Sequence, residues 1–270
     1  MTHNTPERRR RGSRPPVVLI ILGCLGLALF LIPLAGLLAR TPWSELPRLL
    51  GGDLVTDALR LSLATSLLAT LIAAVIGVPL AWLMARVEFP GRFLIRGVVT
   101  LPLVLPPVVG GAALLFALGR RGLIGEPLGE LTGLVLPFST SGVVLANTFV
   151  AMPFLVITVE GALRNLDHRY EAAAATLGAG RWTVLRRVTL PMIAPSLLAG
   201  LTLTWARALG EFGATITFAG NLQGRTQTLP LAVFVALESD RDTAVALSLV
   251  MVAVSLGVLV MLRERWWKAL

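Results

Sequence analysis

From residue 17 onward the chain is a succession of long apolar runs separated by short stretches rich in Arg, Pro and Gly. The runs at 17–39, 58–85, 97–118, 141–163, 192–219 and 243–262 each reach the roughly 20 residues with which an α-helix crosses the hydrocarbon core of a bilayer. The pattern predicts an all-α, polytopic membrane protein with six transmembrane helices. The 17–39 run follows a charged stretch, as in a signal peptide, but a signal peptide has only about 7–15 apolar residues before a small-residue cleavage site. It reads as a retained first transmembrane helix.

Within the second run, Ser62, Ser66, Ala69, Ala73 and Gly77 recur at three- and four-residue steps, so small residues line one helical face. Such residues let helix backbones approach closely in lipid, where van der Waals packing drives association. This span is expected to be buried among others, with Pro79 as a point of bending. The third run carries Pro102, Pro106, Pro107, Gly110 and Gly111. A helix of this kind must kink or break, and the freed backbone groups need partners from protein or water. The pattern leaves open whether it is a kinked packing helix or the lining of a path.

Composition agrees with the pattern. Hydrophobic residues make up 55% of the chain and charged residues 14%, against roughly 25% charged in soluble domains; the mean hydropathy is +0.79. A net charge of +9 would in a soluble domain suggest nucleic acid, but no nucleic-acid partner is expected here because the cations mark topology. With the amino terminus inside, 16 of them fall in cytoplasmic segments and six in external ones, the bias of the positive-inside rule. Both termini are then cytoplasmic: 1–16 is a disordered basic tail and 264–270 a short tail carrying the interfacial Trp266 and Trp267. The stretches 40–57, 119–140 and 220–242 are external. A single cysteine, Cys24, and two isolated histidines, His3 and His168, offer neither a disulfide framework nor a metal centre.

One stretch breaks the apolar rhythm. Residues 164–191 form a polar, basic loop between the fourth and fifth spans. Four successive alanines make 171–177 a short helix, with Asp167 as its N-cap and Gly178 and Gly180 ending it. Residues 181–188 read as a second short piece, and Pro191 and Pro195 mark where the fifth span begins. An Ala-rich surface helix suits insertion into a groove of another protein; an ordinary interfacial loop helix is the plainer reading.

Charge also occurs inside the fifth span, where Arg207 and Glu211 stand four residues apart on one face. Intramembrane charges are costly and mark functional positions. Two readings stand: the residues neutralise each other and hold helices in register at an outer gate, or Arg207 contacts an anionic substrate. Asn147 and Thr148 in the fourth span face the path or another helix. Glu160 is placed to pair with Arg164 at i+4. Arg225 and Gln227 in the last external stretch are candidates for docking a partner protein, or are simply solvated. No catalytic cluster of His, paired Asp, or Ser with a base is found in the spans, which disfavours a membrane-embedded enzyme; a structural membrane protein is the other distant alternative.

The 171–191 stretch resembles the EAA loop of the inner-membrane permease subunits of bacterial ABC importers, matched here by Glu171, Ala172, Ala173, Gly178, Val188, Leu190 and Pro191. Glu171 lies one residue further from Gly178 than in the general pattern, as in the molybdate branch of that family. Residues 206–234 resemble the oxyanion permeases, and GNLQGRTQTLPLA at 220–232 is most similar to the molybdate permeases. The likeness covers roughly 57–263. It implies a type I permease fold and a homodimer served by two cytoplasmic ATPase subunits and an extracytoplasmic oxyanion-binding protein. It further implies a path for molybdate, with tungstate, sulfate or thiosulfate as alternatives, opened by alternating access. Glu171, Ala172, Ala173, Gly178, Leu190 and Pro191 would take part in ATPase coupling. The chain holds no phosphate-binding Gly-x-x-x-x-Gly-Lys-Ser/Thr stretch, so it is not expected to be an enzyme. It would carry no cofactor, and ATP and Mg would be bound by the partner ATPase.

Overall fold

A computed structural model describes residues 17–266; the 1–16 tail and most of the 264–270 tail, expected to be cytoplasmic, lie outside the described residues. The chain divides into two units, 1–42 and 43–270. The first contains α1 (Val17–Ala39), a continuous helix of 23 residues. The second contains every other element, all of them helical among the described residues.

The second unit opens with a short α2 (Leu46–Leu50) and continues into α3 (Asp53–Arg86). With 34 residues, α3 is about 50 Å long at 1.5 Å per residue, more than a bilayer core needs, so one end of it stands in the interfacial region. Ser62, Ser66, Ala69, Ala73, Gly77 and Ala81 are all buried. A Cβ added at Gly77 would come within 3.2 Å of Met152 Cγ, so the small-residue face lets the side chains of its neighbour pack directly against the α3 backbone.

The expected third span is two helices, α4 (Arg92–Val104) and α5 (Pro107–Leu118). The break falls at Leu105 and Pro106, both extended. Each precedes a proline, whose ring disfavours helical geometry in the residue before it. An eight-residue α6 (Gly125–Thr132) follows, and then α7 (Thr140–Asn165), N-capped by Ser139, whose hydroxyl accepts from the Gly142 amide at 3.1 Å. This is the central element: it buries residues along most of its length. One apolar cluster joins Ala73, Ala81 and Met84 of α3 to Leu155, Val156, Val159 and Leu163 of α7.

After α8 (His168–Thr176) the chain enters one uninterrupted helical stretch from Arg181 to Leu209. It begins as α9 (Arg181–Val184), widens into a π-turn at Leu185–Thr189 and continues as α10 (Leu190–Leu209). The expected separation of the second loop piece from the fifth span is therefore absent. The π-turn explains why: the Leu190 amide bonds to the Leu185 carbonyl five residues back, and such a widened turn accommodates the Pro191 ring, which would crowd the carbonyl four residues before it in a regular helix.

The 192–219 span is also broken, at 210–212, beyond which α11 (Gly213–Ala219) begins. The 220–242 stretch, expected to be an external loop, holds α12 (Leu229–Ser239). Its Leu229, Ala232 and Ala236 pack with Val55 and Ala58 of α3 and with Ala244 and Leu247 of the last helix, α13 (Arg241–Trp266). The apolar run of α12 is too short to span a bilayer and so looked like loop; burial against α3 and α13 makes it core. Asp240 precedes α13 and accepts from the Thr243 hydroxyl at 2.5 Å and the Asp242 amide at 3.1 Å. The Thr243 hydrogen bonds hold its carboxyl below the usual carboxylate range. By length and composition, α1, α3, α7, the 181–209 stretch and α13 are long and apolar enough to cross a membrane; the pair α4–α5 stands where the third span was expected.

Candidate functional site

The polar loop is built around α8. Asp167 caps its start, accepting from the Arg169 amide at 2.9 Å. At its other end the Gly178 amide donates to the Ala175 carbonyl and the Ala179 amide to the Ala174 carbonyl, the paired bonds of a Schellman motif. Gly178 has φ +83°, a left-handed conformation that residues with a Cβ avoid. Ala172 and Ala173 face outward with Thr176, and Leu177 is 88% exposed. The exposed Tyr170 and Trp182 flank them. Large apolar groups standing clear of a polar loop mark a contact surface.

Glu171 points the other way. Its Oε1 accepts from Arg86 Nη2 at 3.1 Å and from the Thr189 hydroxyl at 2.6 Å, while Oε2 lies 3.5 Å from His168 Nδ1. Arg86 Nη1 reaches the His168 ring at 2.7 Å. The Arg86 side chain is only 10% exposed and that of Glu171 21%. One carboxylate thus joins the last residue of α3, the first turn of α8 and the π-turn leading into α10. Leu190 packs against the cluster shared by α3 and α7, and Pro191 lies at the start of α10. Arg86, His168 and Thr189 were not singled out as site residues from sequence: Arg86 and Thr189 are 85 and 18 residues from Glu171, and only His168, three residues before it, stood at a local spacing that could have signalled the contact.

A second carboxylate, Glu160 of α7, is buried. Its nearest partner is Arg96 of α4, hydrogen-bonded to Oε1, with Arg164 at 3.8 Å. The i+4 partner expected from sequence is therefore the weaker one, because α4 crosses α7 at this point and brings in a cation from a different span.

The charged pair sits at the break between α10 and α11. Arg207 Nη2 lies 2.7 Å from Glu211 Oε2, with side-chain exposures of 27% and 1%. Glu211 Oε1 accepts from the Ala214 amide at 2.7 Å, so the carboxylate both neutralises Arg207 and holds the first turn of α11. Asn147 of α7 supports the same element: its Oδ1 accepts from the Thr215 hydroxyl at 3.3 Å, and both residues are buried. On its other side α11 meets α5 at backbone range, where a Cβ at Gly111 would fall 2.8 Å from the Ala214 carbonyl oxygen.

Arg225 and Gln227 differ in placement. Arg225 is exposed, and its carbonyl accepts from the Thr140 hydroxyl at 2.9 Å. Gln227, expected to be available for docking, is 7% exposed. The turn folds it inward, with the amides of Arg225, Thr226 and Gln227 all donating to the Leu222 carbonyl.

A bundle of membrane-length helices, with a capped helical loop exposed between two of them and a charged break at the end of the helix that follows, defines a multi-pass membrane component. The family model described as binding-protein-dependent transport system inner membrane component matches residues 77–266. The chain is 48% identical over 232 residues to the molybdenum transport system permease protein ModB of Mycobacterium tuberculosis, covering 85% of this chain and 87% of that one. It is 40% identical over 269 residues to a probable molybdenum ABC transporter permease protein of Haloferax volcanii, covering 97% and 96%. In fold it matches a chain of a bacterial ABC transporter involved in the import of the acidic polysaccharide alginate, with a TM-score of 0.76 at 18% identity over 92% of this chain and 93% of that one. The chain belongs to the family of inner membrane components of binding-protein-dependent transport systems. Its fold is that of an ABC importer permease.

Proposed function

We propose that this chain forms the translocation path for molybdate in an ATP-driven importer. The observation that carries the reading is the 48% identity, over 85% of the chain, to a molybdenum transport system permease. Two copies would form the path, served by two cytoplasmic ATPase subunits that bind ATP and Mg and by an extracytoplasmic oxyanion-binding protein. The chain itself is a permease and not a catalyst.

The geometry supports a route for the force. An ATPase groove receives the outward face of α8, Ala172, Ala173, Thr176 and Leu177. Displacement of α8 pulls on Glu171 and, through it, on Arg86 of α3 and Thr189 ahead of α10. From Thr189 to Arg207 the helix runs 18 residues, about 27 Å, so the stroke arrives at the Arg207–Glu211 break. There two helices joined by one carboxylate can change their angle as the path alternates between its two openings. Selection among tetrahedral anions falls mainly to the binding protein, since a permease that held a dianion tightly would not release it.

The test is uptake of radiolabelled molybdate by cells lacking their own molybdate permease and carrying this chain with its cognate ATPase and binding protein. Uptake should require all three components and survive excess sulfate. Suppression by sulfate as strong as that by unlabelled molybdate would move the substrate to sulfate.

A further inference from the structure

Behind α8, on the side away from its outward face, lies a cavity of about 600 Å³. Its lining includes Trp82 and Arg86 of α3, Glu171 of α8, and Arg181, Trp182 and Leu185 from the start of the following helix. His168, Glu171 and Ala175, one helical face of α8, border it. The exposed Ala172, Ala173, Thr176 and Leu177 do not line it, so the cavity meets the surface assigned to the ATPase only at its edge, at Trp182.

Its chemistry is amphiphilic and cationic. Two indoles and the Leu185 side chain supply apolar surface, and Arg86 and Arg181 supply guanidinium groups. Arg186 stands outside the lining but beside it, its guanidinium 5.9 Å from the centre of the lining Trp182 ring. The one lining carboxylate, Glu171, already accepts from Arg86 and Thr189. Among the described residues no carboxylate lies within salt-bridge distance of Arg181 or Arg186, which leaves positive charge in excess. The site sits where the apolar length of α3 gives way to the polar loop, the depth at which tryptophans anchor membrane proteins. Basic pockets beside spans at this depth take anionic head groups.

We propose that this cavity binds one anionic phospholipid, with the phosphate headgroup against Arg181 and Arg186 and the glycerol and upper acyl chains against Trp82, Trp182 and Leu185. A small free oxyanion would leave most of that apolar lining uncovered; a lipid covers it. The bound lipid would brace the π-turn against the end of α3, the two elements that Glu171 also joins. The proposal stands whichever anion is transported.

The test is native mass spectrometry of the full-length chain, purified in mild detergent and equilibrated with equal amounts of phosphatidylglycerol and phosphatidylcholine. The expected result is a single phosphatidylglycerol retained in preference to phosphatidylcholine. That preference should fall about tenfold in R181Q/R186Q, which removes two cations from the site, and persist in R120Q/R121Q, which removes two elsewhere. Arg181 and Arg186 are exposed, and a thermal melt of the variant reports that it remains folded. Equal retention of the two lipids by the unmodified chain overturns the proposal without recourse to any variant. Retention unchanged in R181Q/R186Q also overturns it. Displacement of the lipid by millimolar inorganic phosphate would assign the cavity to a free anion, and displacement by the ATPase subunit would assign it to that protein; either result overturns the lipid.

Discussion

Glu171 and Gly178 bracket the same short helix and act by different physics. Glu171 works through contacts, with two hydrogen bonds to groups on other elements. Charge-assisted hydrogen bonds of this kind contribute about 1.5–3 kcal/mol each. Glu171→Ala should lower molybdate uptake at least tenfold while the chain stays in the membrane at normal abundance, and should uncouple ATP hydrolysis from the binding protein. Glu171→Gln, which still accepts from Thr189, should fall between. Uptake and ATPase assays on reconstituted vesicles separate the three; normal coupling in the alanine variant would remove Glu171 from the force route. Gly178 works through the backbone alone. A Cβ there meets nothing within 4 Å, yet its φ is +83°, so Gly178→Ala should cost about 1–2 kcal/mol. Gly180 has φ −68° and equally open surroundings, so Gly180→Ala should be nearly neutral. Hydrogen exchange at the Gly178 and Ala179 amides reads the difference directly.

At the scale of elements the break between α10 and α11 concentrates the cost of buried charge. Removing one member of a buried ion pair strands the other, at about 3–5 kcal/mol, and Glu211 is the more deeply buried partner. Arg207→Ala alone should therefore reduce folded yield and gating together. Glu211→Gln in the same chain removes the stranded charge and keeps an acceptor for the Ala214 amide, so the double variant should recover thermal stability. Melting temperatures of the two purified variants check this. A single Arg207→Ala variant that assembles and couples ATP hydrolysis normally, yet passes no anion, would show instead that Arg207 touches the substrate.

For the whole molecule the orientation follows from charge. The 16-to-six distribution of cations predicts, by the positive-inside rule, that the α8 loop and both termini face the cytoplasm and Arg225 the outside. In a C24S background, R225C should react with a membrane-impermeant maleimide on intact cells, and A172C only after permeabilisation. The reverse pattern would invert the topology and sink the docking assignment for α8. Much of this architecture was legible along the chain. Apolar runs of bilayer length marked five long helices, the small-residue stripe from Ser62 to Gly77 marked the buried face of α3, and the Asp167 and Gly178 signals bounded α8. The interruptions were less legible. Pro106 and Pro107 announced a break without saying whether the helix would kink or part. Near 210–212 only Gly210 and Gly213 about the charged Glu211 hinted at one, a weak signal because glycine is frequent in membrane helices.

The sequence by itself determined which segments are apolar enough for the bilayer, which end of the loop helix needs a glycine, and which family the chain resembles. Those properties are local: they depend on hydropathy over about 20 residues or on the backbone preference of a single residue. Only the tertiary structure decided what the polar residues do. It gave Glu171 to Arg86 and Thr189, and gave Glu160 to Arg96 ahead of its own helical neighbour. It turned Gln227 inward and drew α12 out of an expected loop into the core. Apart from the local turn at Gln227, these contacts join residues distant in sequence, and in an apolar interior a polar group takes whichever partner the packing of helices brings within reach.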